Sequence, residues 1–497
     1  MASFNAFYVA PCVLILALIL RIIQKAVHNF RSPLRSIPGP WYAAWSNWAL
    51  KFATITGQRI HYVHSLHEKY GKFVRVSPNE VSISDPESVT TIHKINSGYV
   101  KSPWYIESTN FPRPILFSMS DVKAHSTRRR VFARAFTKSH LRQTYESTVH
   151  SMVQKVVARM KSEAEHGNAD ILKWWTFMAT DVSALLMFGD SFKMIERGEV
   201  NEYIRILQSN LKGSGIGFEL PWIRAILKYI PIKSWQEVFN STGLLMKYGL
   251  ETRQMSRSSG DDKTIFSNSN KEAEKEGGYM DETDVLLEAQ GLLVAGSDTT
   301  AVTLTYLVWA VLCHPQWQHA LEHEVAGLAS DFTDAELESL PVLNGIIEET
   351  LRLYGAAPGC LPRTVPPNGA HLKGHFLPEG TVVSTQSYTL HRDANVFPDP
   401  FKFDPGRWIP NKENPAGGIP ATSTEVAKAM YSPFGFGSRT CLGIHMARME
   451  MRLAVAEFFR SLPGARLAPS VTEESMALEN YFLIAPASHQ CEVTLRN

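Results

Sequence analysis

The chain has 497 residues, 44% hydrophobic and 20% charged, which is the composition of an ordinary globular protein and excludes a disordered chain. A formal net charge of +2 provides no broadly basic surface, so nucleic acid is not an expected partner. The five cysteines are widely scattered, without a CxxC pair or a close Cys/His cluster, which argues against a disulfide framework and a structural zinc site.

The first twenty residues carry no charged side chain, and residues 4–20 are almost continuously apolar. A helix of about twenty apolar residues crosses a bilayer, and cationic residues directly after it mark the cytosolic side. A cleaved signal peptide is the alternative. However, no small-x-small cleavage site follows the apolar stretch, and its cationic flank, Arg21 and Lys25, lies on the C-terminal side. We therefore predict an uncleaved transmembrane anchor at residues 1–23.

Beyond the anchor, the sequence predicts one mainly helical body with a minor β part. A basic, proline-rich hinge at residues 24–40 ends on Ile-Pro-Gly-Pro, which cannot be helical, and a single domain occupies residues 41–497. The polar stretch 256–278 is typical of a surface loop. The predicted helices lie within 61–70, 120–188 and 284–353, and the predicted strands at 73–76, 81–83, 381–383 and 491–494.

The segment from Phe434 to Gly443 reads Phe-Gly-Phe-Gly-Ser-Arg-Thr-Cys-Leu-Gly and is the most informative in the chain. Its glycines allow tight turns and the close approach of a large flat ligand. A helical pattern follows Cys441, so this residue is expected near a helix N-terminus, where the macrodipole and free N–H groups favour a thiolate that can ligate iron. The alternative is an inert buried cysteine beside a glycine turn, which is the usual fate of a lone cysteine.

The spacing Phe434-x-x-Gly437-x-Arg439-x-Cys441-x-Gly443 resembles the heme-binding signature of the cytochrome P450 family. Three further motifs occur in the expected order, and the chain looks most like membrane-bound fungal members that tailor secondary metabolites. The resemblance implies the cytochrome P450 fold, a large helical heme-thiolate catalytic domain with small β-sheets. It also implies heme b with Cys441 as the axial iron ligand, and Phe434, Arg439 and Gly443 as cofactor-binding residues.

Glu349 and Arg352 lie three residues apart and hence on one face of a helix. Alone, such a pair is usually solvated and contributes little stability. It resembles the ExxR motif of the family, whose partner Arg407 follows in the irregular segment 397–408. The resemblance implies that the three residues form a buried network that fixes the fold around the cysteine loop, a structural rather than a catalytic role.

The apolar helix at 284–313 carries Ala-Gly-Ser-Asp-Thr-Thr at residues 295–300. Polar groups buried there need partners, and threonines that bond the carbonyl one turn back would bend the helix, with Gly296 easing the bend. The run also resembles the oxygen-activation motif of the family. This implies that Thr299 donates a hydrogen bond to bound oxygen and that Asp298 relays protons, and both interpretations can hold together.

Heme carboxylates need cations, and the resemblance implies which residues supply them. His125-x-x-x-Arg129 stands where the family usually has Trp-x-x-x-Arg, an exchange that keeps a hydrogen-bond donor. Arg363 and Arg439 match the other usual ligands, because arginine pairs with a carboxylate through two hydrogen bonds. His391 is a weaker candidate.

Arg130, Arg134 and Lys138 recur every fourth residue and form a basic stripe, expected on the helix that also carries Arg129. The stripe is either a solvated face or a docking surface for an acidic electron donor, since charge complementarity speeds encounter. No run near the cysteine has the spacing of a dinucleotide fingerprint. Electrons are therefore expected from NADPH through a partner flavoprotein, NADPH–cytochrome reductase, with cytochrome b5 as a further candidate donor.

These implications predict a heme-dependent monooxygenase that inserts one atom of O2 into an apolar small molecule by hydroxylation or epoxidation. Its expected location is the endoplasmic reticulum membrane, with a single pass and a cytosolic catalytic domain. One alternative function is a reductase-independent isomerase or dehydratase, which the intact Asp298–Thr299 pair disfavours. The other is a heme carrier or sensor, which would leave that pair unexplained. The candidate pocket residues, each of which could equally belong to the core, are Trp104, Tyr105, Phe117, Phe218, Trp222, Ala295 and 356–358 with Ala357 at its centre.

Overall fold

Long helices packed side by side make up most of the body in this computed structural model, which describes residues 2–109, 111–202, 204–205, 219, 264–266, 280–410 and 425–496. The described helices are α1 Ala2–Arg31, α2 Trp48–Ile55, α3 Arg59–Tyr70, α4 Pro86–His93, α5 Trp104–Thr109, α6 Val122–Ala133, α7 Lys138–His166, α8 Ile171–Phe188, α9 Met194–Arg197, α10 Glu282–Leu312, α11 Pro315–Val325, α12 Asp334–Leu337, α13 Pro341–Tyr354, α14 Ser387–Leu390, α15 Glu425–Met430 and α16 Ile444–Ser461. Short 3-10 helices occupy Pro33–Ser36, Trp41–Ala44, Pro405–Trp408 and Gly437–Arg439.

In the described residues, four small sheets lie beside the helices. The strands are β1 Phe73–Ser77, β2 Glu80–Ile83, β3 Val100–Lys101, β4 Ala169–Asp170, β5 Arg363–Thr364, β6 Ala370–Leu372, β7 His375–Leu377, β8 Val382–Ser384, β9 Arg466–Leu467, β10 Leu478–Asn480, β11 Ile484–Pro486 and β12 Glu492–Thr494. The largest sheet has the order β1-β2-β8-β5-β3, and β10 and β11 form a two-stranded sheet. The predicted hairpin is confirmed, because Phe73 pairs with Ile83 in an antiparallel register. In the same sheet Lys101 pairs with Arg363, which places two cationic side chains next to each other.

The central contact of the body is between α8 and α10, which pack closely along their lengths. Asp281 caps the start of α10 by accepting the Asp284 N–H at 2.8 Å, and Gly189 in the left-handed region ends α8. A Cβ on Gly296 would come within 2.4 Å of Ser183 Oγ, so the glycine lets the two helices approach. Gly296 therefore has a packing role beyond the one expected from the sequence.

The basic stripe is not on one helix, which corrects the sequence-based expectation. The predicted helical run 120–188 divides into α6, α7 and α8, and the chain turns between Ala133 and Lys138. Arg130 is on α6, whereas Lys138 begins α7 and forms an ion pair with Glu338. The turn escaped prediction because residues 134–137 contain neither proline nor glycine.

Within the predicted surface loop 256–278, only residues 264–266 are described, and two of them are buried. Ile265 donates its N–H to the Leu186 carbonyl at 3.0 Å, and the ring of Phe266 lies edge-on to Phe132. This part of the stretch belongs to the core, contrary to the expectation from its polar neighbours.

The N-terminal helix α1 continues to Arg31, eight residues past the predicted end of the anchor. The end of the predicted hinge lies against β1: the Pro38 carbonyl accepts the Arg75 N–H at 2.8 Å, and a Cβ on Gly39 would meet the Arg75 carbonyl at 2.4 Å. Among the helices whose side chains are described in full, α8 and α10 are long and apolar enough to cross a membrane. Both are mostly buried, as core helices are.

Candidate active site

The cysteine loop makes a tight turn against helix α4 before α16 begins. Gly437 has φ +55°, and a Cβ there would come within 2.4 Å of the His93 carbonyl, so only glycine fits without a shift. The Cys441 N–H donates to the Phe434 carbonyl at 2.8 Å, which closes the loop. Gly443 occupies the N-cap of α16, so the predicted position of Cys441 just before a helix N-terminus is confirmed.

The electrostatics of Cys441 differ from the expectation that its position alone favours the thiolate. Burial raises the pKa of the thiol, and this outweighs the lowering by the Gly443 N–H and by the charge of Arg129. The residue is nevertheless accessible although protein surrounds its thiol, which is the combination expected at the wall of a cleft. A bound metal cation is the kind of charge that deprotonates a thiol in such surroundings.

Cations cluster beside the cysteine. Lys101 is almost fully buried, and burial together with the charges of Arg363, Arg439 and Arg129 lowers its pKa well below the usual value. Burial and then the charges of Arg439, Lys101, Arg129 and Arg363 lower the pKa of His125 to about 3. Burial and the charge of Arg363 lower the pKa of Arg439 to about 10.

Among the described residues, no carboxylate lies within ion-pairing distance of Lys101, Arg129, Arg363 or Arg439. Buried like charges gathered without an acidic partner are costly, and they are stabilised when an anion binds among them. The two carboxylates and the iron of a heme match this donor set of several cations and one thiol. The residues present therefore fit a heme, and Lys101 joins the residues that the sequence identified.

The same cations also hold the segment before α6. Arg439 donates to the carbonyls of Met119 and Ser120 at 2.7 and 3.3 Å, and Lys101 donates to the Phe117 carbonyl. These bonds fix the backbone beside the cation cluster.

His391 was a weaker candidate for a heme carboxylate, and its contacts correct that assignment. Its Nδ1 is hydrogen-bonded to the Arg352 carbonyl at 3.0 Å, and its Nε2 accepts the Ser432 N–H at 3.0 Å. Because both ring nitrogens are hydrogen-bonded to the backbone, His391 joins α13 to the segment that leads into the cysteine loop.

The predicted network of Glu349, Arg352 and Arg407 is present and buried. Arg352 makes a two-bond contact with Glu349, at 2.8 Å for each bond, and donates to the His391 carbonyl at 2.8 Å. Glu349 also accepts from Arg407 Nε at 3.0 Å and from Trp408 Nε1 at 2.8 Å. One carboxylate thus joins α13 to the irregular segment that leads toward the cysteine loop.

A second acidic residue on α13, Glu348, contacts the cysteine loop from the other side and was missed in the sequence. It accepts the Tyr431 hydroxyl at 2.6 Å and forms an ion pair with Arg448 on α16. The Arg448 guanidinium lies 5.5 Å from the centroid of the Phe434 ring. Two adjacent glutamates therefore contact the loop through different partners, a pattern that sequence alone leaves indistinguishable from a solvated acidic pair.

The middle of α10 is polar in the way the sequence indicated. The Thr299 hydroxyl donates to the Ala295 carbonyl at 2.6 Å and the Ser297 hydroxyl to the Leu293 carbonyl at 2.7 Å, so the predicted bonds to the previous turn are confirmed. Burial raises the pKa of Asp298 to about 6. Ala295 is exposed although the rest of the helix is largely core, so this face of α10 borders the cleft.

Aromatic side chains from three distant segments meet near this cleft. Phe117 and Phe482 are 38% and 48% exposed, with ring centroids 5.8 Å apart, and Trp104 lies 6.0 Å from Phe482. Tyr105 is buried beneath Phe117 and accepts a hydrogen bond from Arg363 at 3.2 Å, so it supports the wall rather than forming its surface. Phe482, in the β10–β11 turn, was missed because nothing near it in sequence marks a pocket.

The remaining pocket candidates lie beside this cluster or outside the described residues. Ala357 is exposed, and the neighbouring Ala356 carbonyl accepts the Ile484 N–H at 2.9 Å, which ties this segment to the turn that carries Phe482. Phe218 and Trp222 lie outside the described residues.

Comparison with known proteins gives a consistent picture. A family profile described as "Cytochrome P450" matches residues 38–486. The chain is 39% identical to the cytochrome P450 monooxygenase aflV of Aspergillus parasiticus, over 97% of this chain and 94% of that protein. It is 32% identical to a methylphloroacetophenone oxidase of Cladonia uncialis, over 78% and 88% of the two chains. In fold it resembles the crystal structure of the cytochrome P450DA heme domain, with a TM-score of 0.76, 17% identity and coverage of 93% and 98%.

Proposed function

Because the chain belongs to the cytochrome P450 family and is a heme-dependent monooxygenase, we propose that it oxidises an aromatic small molecule of fungal secondary metabolism. The observation that carries the proposal is the thiol of Cys441 at the wall of a cleft, beside buried cations that have no acidic partner. This arrangement has little purpose in a protein without an anionic, iron-bearing cofactor.

Each group around the cleft has a role in this proposal. Heme, when bound, supplies the iron at which O2 is activated. Cys441 provides the axial sulfur, and Phe434 and Gly443 shape the loop around it. The cations that pair with the heme carboxylates are Lys101, Arg129, Arg363 and Arg439, and neutral His125 contributes a hydrogen-bond donor.

Asp298 and Thr299 are the proposed proton-delivery pair. A pKa of about 6 lets the Asp298 carboxyl gain and lose a proton near neutral pH, which is what a relay requires. The Thr299 hydroxyl, bonded to the carbonyl one turn back, is fixed on the face of α10 that carries the exposed Ala295. The Glu349, Arg352 and Arg407 network keeps the loop of Cys441 in position and takes no part in the chemistry.

The substrate class follows from the wall of the cleft and from one relative. Phe117, Phe482 and Trp104 offer aromatic faces and edges, which favour a flat, electron-rich ring. The Cladonia relative is named for the oxidation of an acylated phenol. We therefore place the substrate of this chain among aromatic polyketide-type phenols.

Electrons reach the protein from a redox partner, which we propose is NADPH–cytochrome reductase, with cytochrome b5 as a further donor. Arg130 and Arg134, exposed on α6 and just after it, form the remaining part of the basic stripe and are the proposed contact for an acidic partner. The salt dependence of reductase-driven turnover tests this contact, because neutralising both arginines should slow turnover at low salt. Unchanged turnover at all salt concentrations would contradict it.

We further propose that α1 anchors the protein in the endoplasmic reticulum membrane, with the catalytic domain in the cytosol. The helix has 30 residues, enough to cross a bilayer, and its described apolar side chains from Val13 to Ile23 are exposed. Arg21 and Lys25 follow the apolar run on the proposed cytosolic side. The full-length protein should stay in the membrane fraction after alkaline extraction, and deletion of residues 2–31 should release it. Continued membrane retention of the deletion variant would place the anchor elsewhere.

A turnover assay tests the reaction and the substrate class together. The protein with NADPH, reductase and isotopically labelled O2 should convert methylphloroacetophenone or a related acylphenol to a product that carries one labelled oxygen, while a terpene hydrocarbon such as limonene is oxidised poorly. Product formation without reductase would support the isomerase or dehydratase alternative. Preference for limonene would overturn the aromatic substrate class but leave the monooxygenase reaction intact.

A further inference from the structure

An acidic cluster on the first turns of α10 holds the segment that carries Phe117. Glu288 is almost fully buried, and both of its carboxylate oxygens accept the Leu116 N–H, at 2.9 and 3.1 Å. Arg128 on α6 pairs with the same carboxylate at 3.1 Å. A backbone N–H at position 116 is thus fixed by a buried carboxyl group on a different element, 172 residues away in sequence.

The contact continues along α10 on both sides of Glu288. Arg113 pairs with Asp281 at 2.6 Å and with Asp284 at 3.3 Å, one turn before Glu288. One turn after it, a Cβ on Gly291 would come within 2.6 Å of Ile115 Cδ1, so the glycine admits that side chain against the helix. The segment from Arg113 to Leu116 is therefore fastened to one face of α10.

Phe117 lies between the segment 113–116, which is bound to α10, and the cation cluster. The Ile115 N–H donates to Ser118 Oγ at 3.0 Å, which makes residues 115–118 a compact turn. Lys101 donates to the Phe117 carbonyl, and Arg439 donates to the carbonyls of Met119 and Ser120. With the backbone fixed on both sides, the Phe117 ring has a defined place opposite Phe482.

From these contacts we propose that Glu288 is a positioning residue for the substrate pocket. By accepting the Leu116 N–H, it holds Phe117 in the wall of the cleft and so determines which ligands the cleft admits. The proposal rests on the proposed function, in which Phe117 borders the substrate. Glu288 itself does not reach the cysteine loop in any described contact, so it acts through the backbone of residues 115–117.

Two conservative substitutions separate the effect of the hydrogen bond from the Leu116 N–H from the effect of the Glu288 charge. Glu288→Asp keeps the charge but shortens the side chain by one carbon, which removes its reach to the Leu116 N–H. Glu288→Gln removes the charge but keeps an oxygen that can accept that N–H. Asp284→Asn is the matched control, since it weakens the pairs with Arg113 and Arg128 and leaves the bond to Leu116 intact.

The probes are imidazole, which reports on the heme iron alone, and 1-phenylimidazole, whose ring extends into the cleft. Spectral titration of the holoproteins should give a Kd for 1-phenylimidazole about tenfold higher in Glu288→Asp than in wild type, the size of one hydrogen bond to a charged group. The Kd of Glu288→Gln and Asp284→Asn should stay within about twofold of wild type. The Kd of imidazole should be the same in all four proteins.

The outcomes separate the inference from the proposed function. If wild type gives no spectral response to imidazole, the heme assignment fails before Glu288 is tested. If both probes bind but Glu288→Gln is impaired more than Glu288→Asp, the role is one of charge, and the positioning role is overturned. Should Glu288→Asp fail to assemble, amide exchange in the wild-type holoprotein decides: the 113–118 peptide should exchange slowly, and rapid exchange there would overturn the proposal.

Discussion

The Glu450 carboxyl accepts a hydrogen bond from the Thr300 hydroxyl across the interface between α16 and α10. This contact joins the helix that follows Cys441 to the residue next to Thr299. The Oε2 atom of Glu450 is buried without a partner among the described residues, and burial raises the pKa of Glu450 to about 8. The two helices that carry the proposed chemistry therefore meet through an acid whose protonated form is favoured by burial.

Glu450 should make the stability of the protein depend on pH. The folded-state pKa of about 8 lies above the ordinary value of 4.5, so the folded state binds the proton more tightly and loses stability as pH rises from about 4.5 to 8. Each unit of difference in pKa is about 1.4 kcal/mol. We expect Glu450→Gln to raise the thermal midpoint at pH 9 and to leave it nearly unchanged at pH 5. Equal effects at both pH values would contradict this assignment.

Removing the charge of Glu349 should prevent assembly of the holoprotein. Glu349→Gln leaves the buried guanidiniums of Arg352 and Arg407 without a counter-charge, which costs about 3–5 kcal/mol. The adjacent substitution Glu348→Gln is the matched control, because it affects the partly exposed pair with Arg448 and costs about 1 kcal/mol or less. The measurement is the yield of heme-loaded protein, and equal yields for the two variants would refute the bracing role.

Lys101→Met should affect the heme-free and heme-loaded proteins in opposite directions. In the heme-free protein it removes one of several mutually repelling buried cations, so the thermal midpoint should rise. In the holoprotein it removes a charged partner of a heme carboxylate, so heme transfer to apomyoglobin should be about tenfold faster. Lys123→Met, on the exposed side of α6, should change neither quantity. If Lys101→Met retains heme as well as wild type, Lys101 is not a heme ligand.

Thr299→Ala should uncouple NADPH consumption from product formation. Loss of a positioned proton donor costs about 10²-fold in the step that it serves, while reduction of the protein is unaffected. Thr303→Ala is the control, because its hydroxyl makes the same kind of bond, to the Thr299 carbonyl, one turn further along α10. The measurement is product formed per NADPH consumed, and a ratio equally low in both variants would point to disruption of the helix instead.

A feature of the site could be predicted from the sequence when the residues that form it lie close together along the chain. The loop of Cys441 and the pair of Glu349 and Arg352 were predictable, since a few adjacent residues define each turn or helix face. Lys101 was not, because its burial follows from the pairing of β3 with β5, 262 residues apart. For the same reason Glu288 looked like one more charged residue at the start of an apolar helix.

Local signals also misled in two places. The favourable position of Cys441 before a helix suggested an intrinsically acidic thiol, whereas burial dominates and raises its pKa. Arg130, Arg134 and Lys138 share a helical spacing, but a turn without glycine or proline separates the last of them. Periodicity describes single elements, and these errors arose where tertiary packing decided the result.

The central claim, that Cys441 holds the heme iron through its sulfur, is tested most directly by the spectrum of the reduced protein bound to carbon monoxide. Wild type should show the long-wavelength Soret band of a thiolate-ligated ferrous heme, and Cys441→Ser should lose that band. Cys360→Ser, the matched control at a second cysteine whose thiol pKa is raised, should retain it. A wild-type spectrum without the thiolate band, or an unchanged band in Cys441→Ser, would contradict the account.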